Sequence, residues 1–244
     1  MMKIPAIISC NANTCCISDL KKNIEVWYVN LQEKRSLYTL CRSLLSVDEQ
    51  QRSSRFKFKQ HAQDYSLGRG LLRVLLGCYL QQAPESLRFS YSCYGKPQLS
   101  ESQFLQFNLS HSNYALAYCF TLQAKVGIDI EYVDKKRSLD PLITRCFSCS
   151  DQHYLNKLSE EEKVRNFFQG WVRKEAILKA LGKGLNYPLA DLSVYFNGES
   201  THTVCDDGEK NSWVLHSLPD PLAEFVAAVA VNTIDKKIKL KGWI

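Results

Sequence analysis

Twice along the chain the spacing of apolar residues changes from helical to alternating, and this repeated change limits the fold more than any other feature of the sequence. From about His61 to Leu80 apolar residues recur at three-and-four spacing. From Leu87 the period becomes that of strands, over 87–91, 104–109, 114–118 and 126–130, with Tyr94-Gly95-Lys96-Pro97 as a turn between the first two. A helical region then covers 139–181. Within it Ser159-Glu160-Glu161-Glu162 has the form of a capping box, so a new helix is expected to start there and to carry Phe167, Trp171, Leu178 and Leu181. Strands return over 192–196, 212–215 and 224–230. An opening strand over 24–29 and helical spacing from Leu37 to Leu45 precede the first long helix. The expected class is α+β, each half reading as a long helix followed by about three strands. The helix around Gly68–Arg73 leads to Ser110-His111-Ser112 and an alanine-containing strand; the helix around Arg173–Lys179 leads, at a similar distance, to His216-Ser217 and another. Internal duplication is one explanation and coincidence the other. If it is duplication, the molecule is two similar lobes, and the cleft between them is the default ligand site.

Composition narrows the class further. With 45% hydrophobic and 23% charged residues in a chain of 244, disorder, a collagen-like repeat and a coiled-coil rod are excluded. A chain of this length buries enough apolar surface to stand without staples, so its 10 Cys are not needed as a disulfide framework. Most are embedded in apolar runs such as Leu76-Gly77-Cys78-Tyr79 and Ala117-Tyr118-Cys119-Phe120, where a reduced thiol behaves as a small hydrophobe. The apolar stretch from Ile4 to Cys10 is short, contains Pro5 and does not read as a secretory signal. No run approaches the roughly 20 apolar residues of a membrane span. The expected compartment is cytoplasmic.

The net charge of +6 is unevenly spread. Arg52, Arg55, Lys57, Lys59, Arg69 and Arg73 face only Glu49 and Asp64, with Phe56, Phe58 and Tyr65 among them, a composition that suits a nucleotide or a nucleic acid. A second concentration, Lys236, Lys237, Lys239 and Lys241, reads as solvated surface.

Asp129-Ile130-Glu131 is the most informative triplet. On a strand its two carboxylates project from one face while Ile128 and Ile130 face a core. Two such carboxylates raise one another's pKa unless a cation lies between them, although an isolated D-x-E is often just a strand end reaching solvent. Glu175 adds weight, because Trp171, Glu175 and Lys179 share a helix face. The bland reading is a surface Glu–Lys pair beside a core Trp. The functional one makes Glu175 a third acidic ligand, with Lys174 and Lys179 left to meet phosphate, a set that suits Mg²⁺ held jointly by protein and phosphates. His111 alone is an ordinary turn residue, and Gly95-Lys96-Pro97 lacks the context of a P-loop. Cys146, Cys149 and His153 lack the second Cys pair of a zinc ribbon.

Taken in order, Gly95-Lys96-Pro97, the run Phe107 to Ser112, the run Val126 to Glu131 and the run Trp171 to Gly184 resemble the motif series of the 4′-phosphopantetheinyl transferases, in their larger, surfactin-synthetase-activating class. The resemblance covers about Ser46 to Leu192. It implies an intramolecular pseudo-dimer of two α/β lobes, 1–123 and 124–244, with coenzyme A and Mg²⁺ between them. The reaction would move the phosphopantetheine arm onto a serine of an apo acyl or peptidyl carrier protein and release adenosine 3′,5′-bisphosphate. By similarity Asp129, Glu131 and Glu175 are the metal ligands. Lys179 and His111 hold phosphates, Ser110 and Gly95-Lys96-Pro97 lie along the adenine, Arg52 sits near the 3′-phosphate, and Glu175 is the candidate base. Glu49 departs from the family where a second basic residue is common, and Tyr65 where a small hydroxyl residue is, so Arg55, Lys57 or Arg69 could take over that phosphate. Lys135, Lys136 and Arg137 are the expected docking point for an acidic carrier. A monomer that binds neither nucleic acid nor membrane is expected. The competing readings are a metal-dependent phosphohydrolase on the same carboxylates and a nucleic-acid-binding module built on residues 52–73.

Overall fold

Side-chain alternation on the strands sorts the apolar residues into three cores and thereby sets the layers of the molecule. The computed structural model describes residues 15–102, 104–183, 187–192, 194, 200–205, 211–219 and 224–243. The expected strand over 192–196 lies, apart from Leu192 and Val194, outside these residues, as do the stretch 4–10 and Gly184. Strands β1 (Asn23–Asn30), β4 (Leu105–Ser112) and β5 (Ala115–Leu122) form a sheet in the order β1-β5-β4. Strands β6 (Val126–Tyr132), β7 (Ser200–Cys205), β8 (Asn211–Leu218) and β9 (Phe225–Val231) form a second, in the order β6-β9-β8-β7. The short hairpin β2 (Phe89–Tyr91) and β3 (Pro97–Leu99) stands apart.

On β5, Leu116, Tyr118 and Phe120 face the long helix α3 (Lys59–Leu80), joining Leu67, Leu71, Leu72, Leu75 and Tyr79 in one core. The opposite face of β5 presents Ala115, Ala117 and Cys119, which pack with Ile128 and Ile130 of β6 and Ala227 and Val229 of β9. Small side chains there let the two sheets approach. The outer face of the second sheet packs under α6 (Glu160–Leu181) through Phe167, Phe168, Val172, Ala176 and Ile177. The layers are therefore helix, sheet, sheet, helix. Ser159 and Glu162 do form the capping box that starts α6.

Short helices precede each long one: α1 (Tyr38–Ser43) and α2 (Val47–Ser54) before α3, and α4 (Asp140–Cys146) and α5 (Cys149–Leu155) before α6. The two long helices have 22 residues each, and Arg73 and Lys174 occupy the same position counted from the first residue. Arg73 Nε donates to Glu49 Oε2 at 2.7 Å and Nη1 to the carbonyls of Pro84 and Leu87 at 2.9 and 3.0 Å. Lys174 Nζ donates to Asp151 Oδ2 at 3.3 Å and to the carbonyls of Leu189 and Leu192 at 3.0 and 2.5 Å. In both halves a cation on the long helix thus binds the carboxylate three residues after the N-cap serine of a short helix, Ser46 or Ser148, and two carbonyls of the segment that follows the long helix.

The lysine-rich end of the chain is a paired strand rather than a solvated tail, although Lys237 is exposed. Strand β10 (Lys237–Trp243) crosses to the first sheet and pairs in parallel with β1, so the residues past 123 do not all lie with the second sheet. Lys236 Nζ is buried on the carbonyls of Leu20, Lys21 and Leu122, at 2.9, 2.6 and 2.9 Å. Lys239 binds Asp19 at 2.6 Å, and Lys241 lies 3.4 Å from the fully buried Glu25.

Candidate active site

The two sheets meet along β4 and β6, and a row of polar side chains makes the junction. Strand β6 is an edge strand, so its outward backbone N–H groups need partners. Asn108 Oδ1 accepts from Ile128 N at 3.0 Å and Ser112 Oγ from Tyr132 N at 3.1 Å. Between them Ser110 Oγ donates to Asp129 Oδ1 at 2.7 Å, and Ser112 Oγ donates to Glu131 Oε2 at 2.7 Å. Residues two apart on β4 thus hold both carboxylates of Asp129-Ile130-Glu131.

Helix α6 completes the cluster. Gly127 lets it approach: a Cβ there would lie 2.1 Å from the Ala176 carbonyl oxygen and 2.4 Å from Ala180 N. One residue before each of those two contacts, and one turn apart, α6 presents Glu175 and Lys179 beside Asp129. Lys179 Nζ donates to Asp129 Oδ1 and Ser110 Oγ, both at 2.6 Å, and its side chain stays 30% exposed. The Glu175 carboxyl is pushed up to about 7 by burial first and then by the charge of Asp129. Burial, and then Asp129, also raises Glu131 above the usual range. His111 opens onto the adjoining cavity, and the protein around it, followed by the charge of Lys179, lowers its pKa.

Asp129 Oδ2 and Glu175 Oε1 are buried without a hydrogen-bond partner. A buried carboxylate oxygen left without a partner is costly. Two of them beside a third carboxylate are a donor set for a hard cation. Among the described residues no group of three or more His, Cys, Asp or Glu side chains stands close enough together to hold a metal ion by itself. Mg²⁺ does not ask for one, since it commonly takes one or two carboxylates and completes its shell with water and substrate phosphate. The residues present therefore fit Mg²⁺.

The structure brings Asp129, Glu131, Glu175, Lys179, Ser110 and His111 together. It places the other expected residues elsewhere. Lys174 is 0% exposed, faces away from the cluster and spends its protons on Asp151 and two carbonyls, so it is not available to a phosphate. Lys96, in a turn that Gly95 makes with φ 81°, donates from Nζ to the carbonyls of Val126 at 2.9 Å and Ala180 at 3.3 Å. Burial lowers its pKa to about 8, and its charge lies at the C-terminal end of α6, where the helix dipole favours it. The Gly95-Lys96-Pro97 turn thus ties the hairpin to both partners of the carboxylate cluster. Arg52 is exposed over the rings of Tyr65 and Tyr91, at 5.7 and 5.9 Å, and Arg55 is exposed nearby. Arg69 is ion-paired to Glu49 and donates to Tyr91 Oη at 2.8 Å. Burial pushes Glu49 up, but Arg69 and Arg73 outweigh it and hold its carboxyl below the usual range.

A cavity of about 860 Å³ adjoins the cluster, lined by Arg35, Phe56, His61, Tyr65, Leu109 and His111 among others. Sequence reasoning missed Asn108 and Ser112 as positioning residues. Their signal was a polar residue at every second place of an otherwise apolar strand.

Two family models match the chain. One, described as the 4′-phosphopantetheinyl transferase superfamily, matches residues 125–230; the other, described as 4′-phosphopantetheinyl transferase, N-terminal, matches residues 31–119. The 4′-phosphopantetheinyl transferase HetI of Nostoc sp. is 36% identical over 169 residues, which cover 68% of this chain and 71% of that one. The 4′-phosphopantetheinyl transferase Sfp of Bacillus subtilis is 34% identical over 152 residues, 62% of this chain and 66% of that one. The enzyme gsp of Aneurinibacillus migulanus is 29% identical over 184 residues, 74% of each chain. On these matches, and with the motif residues gathered at one junction of two sheets, the chain belongs to the 4′-phosphopantetheinyl transferase superfamily, in its larger, surfactin-synthetase-activating class.

Proposed function

We propose that this chain transfers the 4′-phosphopantetheine arm of coenzyme A to a serine of an apo carrier protein, with Mg²⁺, and releases adenosine 3′,5′-bisphosphate. The observation that carries the reading is the pair of unpartnered buried oxygens, Asp129 Oδ2 and Glu175 Oε1, set beside Lys179 and His111. Asp129, Glu131 and Glu175 would hold the metal, which when bound neutralises charge on the phosphate oxygens. Lys179 and His111 hold the pyrophosphate, and Ser110 fixes the Asp129 carboxylate and the Lys179 ammonium. The serine oxygen attacks the phosphorus that carries the pantetheine arm. The bond from that phosphorus to the bridging oxygen breaks, and the nucleotide leaves with the bridging oxygen. Glu175, directly or through a water, takes the serine proton. Arg52, exposed over Tyr65, would meet the 3′-phosphate.

The matching cation clamps of Arg73 and Lys174 support two related lobes, joined as an intramolecular pseudo-dimer, with the site at their junction. In this reading the second lobe ends before β10, which returns to the first. The protein acts in the cytoplasm as a monomer without nucleic acid; no helix among the described residues is long and apolar enough to cross a membrane. The test is to follow adenosine 3′,5′-bisphosphate with coenzyme A and Mg²⁺ present. Transfer requires that it form only when an apo carrier is added. Release without a carrier would mark a phosphohydrolase.

A further inference from the structure

Between α2 and α3 the chain exposes Arg55-Phe56-Lys57-Phe58-Lys59. Phe56 and Phe58 are 39% and 57% exposed, among the most accessible large apolar side chains of the described residues. A single exposed phenylalanine is ordinary; two on one segment, alternating with three cations, form a patch that needs explaining. Among the described residues no carboxylate pairs with Arg55, Lys57 or Lys59. The nearest acid in sequence, Asp64, is held by Arg35 at 3.5 Å and by Gln60 at 2.9 Å. The rings are braced rather than loose: Phe56 lies 5.5 Å from Tyr65, and Phe58 5.5 Å from His61. Phe56, His61, Tyr65 and His111 line the same cavity, so the patch borders the hollow onto which the phosphate-binding histidine opens.

We infer that this basic and aromatic segment is the docking surface for the acceptor, an acidic protein that lays carboxylates against Arg55, Lys57 and Lys59 and an apolar side chain against Phe58. The inference rests on the transfer reading, which requires a protein serine to reach the site. Charge complementarity selects an acidic partner, and the paired rings select one with an exposed apolar residue among its acids. The segment Lys135-Lys136-Arg137, expected from the sequence to dock the carrier, is exposed but offers no large apolar side chain.

The test is the double substitution Phe58→Ser with Lys59→Glu in the full chain. Lys59 opens α3, whose first turn holds no acid, so glutamate there favours the helix and the fold is not at risk. Expected are a rise of about tenfold in the KM for apo carrier, a kcat and a KM for coenzyme A within about twofold of wild type, and a weaker salt dependence of the carrier kcat/KM. Reversal of Lys135 and Lys136 should leave the carrier KM within about twofold. The inference is overturned if the first variant keeps its carrier KM, if only the second loses it, or if the KM for coenzyme A rises instead. Wild-type sedimentation with anionic vesicles that the first variant lacks, with carrier kinetics unchanged, would give the patch to a membrane and likewise overturn it. Direct titration of apo carrier separates the two claims. A carrier that binds but is never modified, with binding lost in the first variant, would keep the surface and remove the reaction.

Discussion

Glu175 and Lys174 are neighbours on one helix, and their environments assign them opposite tasks. Glu175 is held beside Asp129 with one oxygen unpartnered, and its carboxyl is raised to about 7. Between about pH 4 and pH 7 the metal-free folded chain therefore binds more protons than the unfolded chain, and this group's contribution to stability falls as pH rises through that window. Glu175→Gln removes the effect. Thermal unfolding in chelator should find the variant more stable than wild type at pH 8 and equal to it near pH 4, while transfer falls about 10²–10³-fold. Lys174 instead completes a buried ion pair. Lys174→Met leaves Asp151 buried and uncompensated, and should cost about 3–5 kcal/mol in denaturant unfolding, with Asp151→Asn added recovering part of it. A Lys174→Met chain with normal stability and a raised KM for coenzyme A would return Lys174 to phosphate binding. The sequence did not separate these two residues because helical spacing gives only the face. What decides Lys174 is Asp151 and the carbonyls of Leu189 and Leu192, all distant along the chain or in irregular backbone.

At the scale of elements, periodicity was a sound guide wherever one face of an element is buried. The expected spans for β1, α3, β4, β5, β6, α6, β8 and β9 fall within a few residues of those observed. It failed for β3, three residues long and opened by proline, for β7, where no strand is expected from the sequence, and for β10, where Lys237, Lys239 and Lys241 alternate with Ile238 and Leu240 but read as a solvated tail. That last strand pairs with β1, and its lysines meet Asp19 in the turn before β1 and Glu25 on it, partners no local pattern shows. The carboxylates on one face of β6 were legible; their holders on β4 were not, since Asn108, Ser110 and Ser112 act across the junction of the two sheets. The approach of α6 to β6 depends on the missing side chain of Gly127. Gly127→Ala forces helix and strand apart, and is expected to cost about 1–3 kcal/mol in unfolding and about 10²-fold in kcat, because Asp129 moves relative to Glu175 and Lys179. Loss of stability with kcat intact would show that the spacing of β6 and α6 does not set the reaction geometry.

Across the whole molecule, three sets of cations have different partners. Arg69, Arg73 and Lys174 are buried and committed to Glu49, Asp151 and backbone carbonyls. Lys236, Lys239 and Lys241 fasten the last strand to the first sheet. What remains for ligands is Lys179 with His111 at the junction, and Arg52 to Lys59 at the edge of the cavity. The repeated order of long helix and strands was visible in the sequence, and the layering of the two sheets face to face follows from the small residues of β5 and β9. The central claim is that this junction transfers a phosphopantetheine arm and that Asp129 is essential to it. Intact-protein mass spectrometry of an apo carrier incubated with coenzyme A, Mg²⁺ and either wild type or Asp129→Ala tests it most directly. The account predicts complete addition of the arm by wild type and a rate lower by about 10²–10³-fold for the variant. An unmodified carrier with wild type, or equal rates for the two proteins, would contradict it.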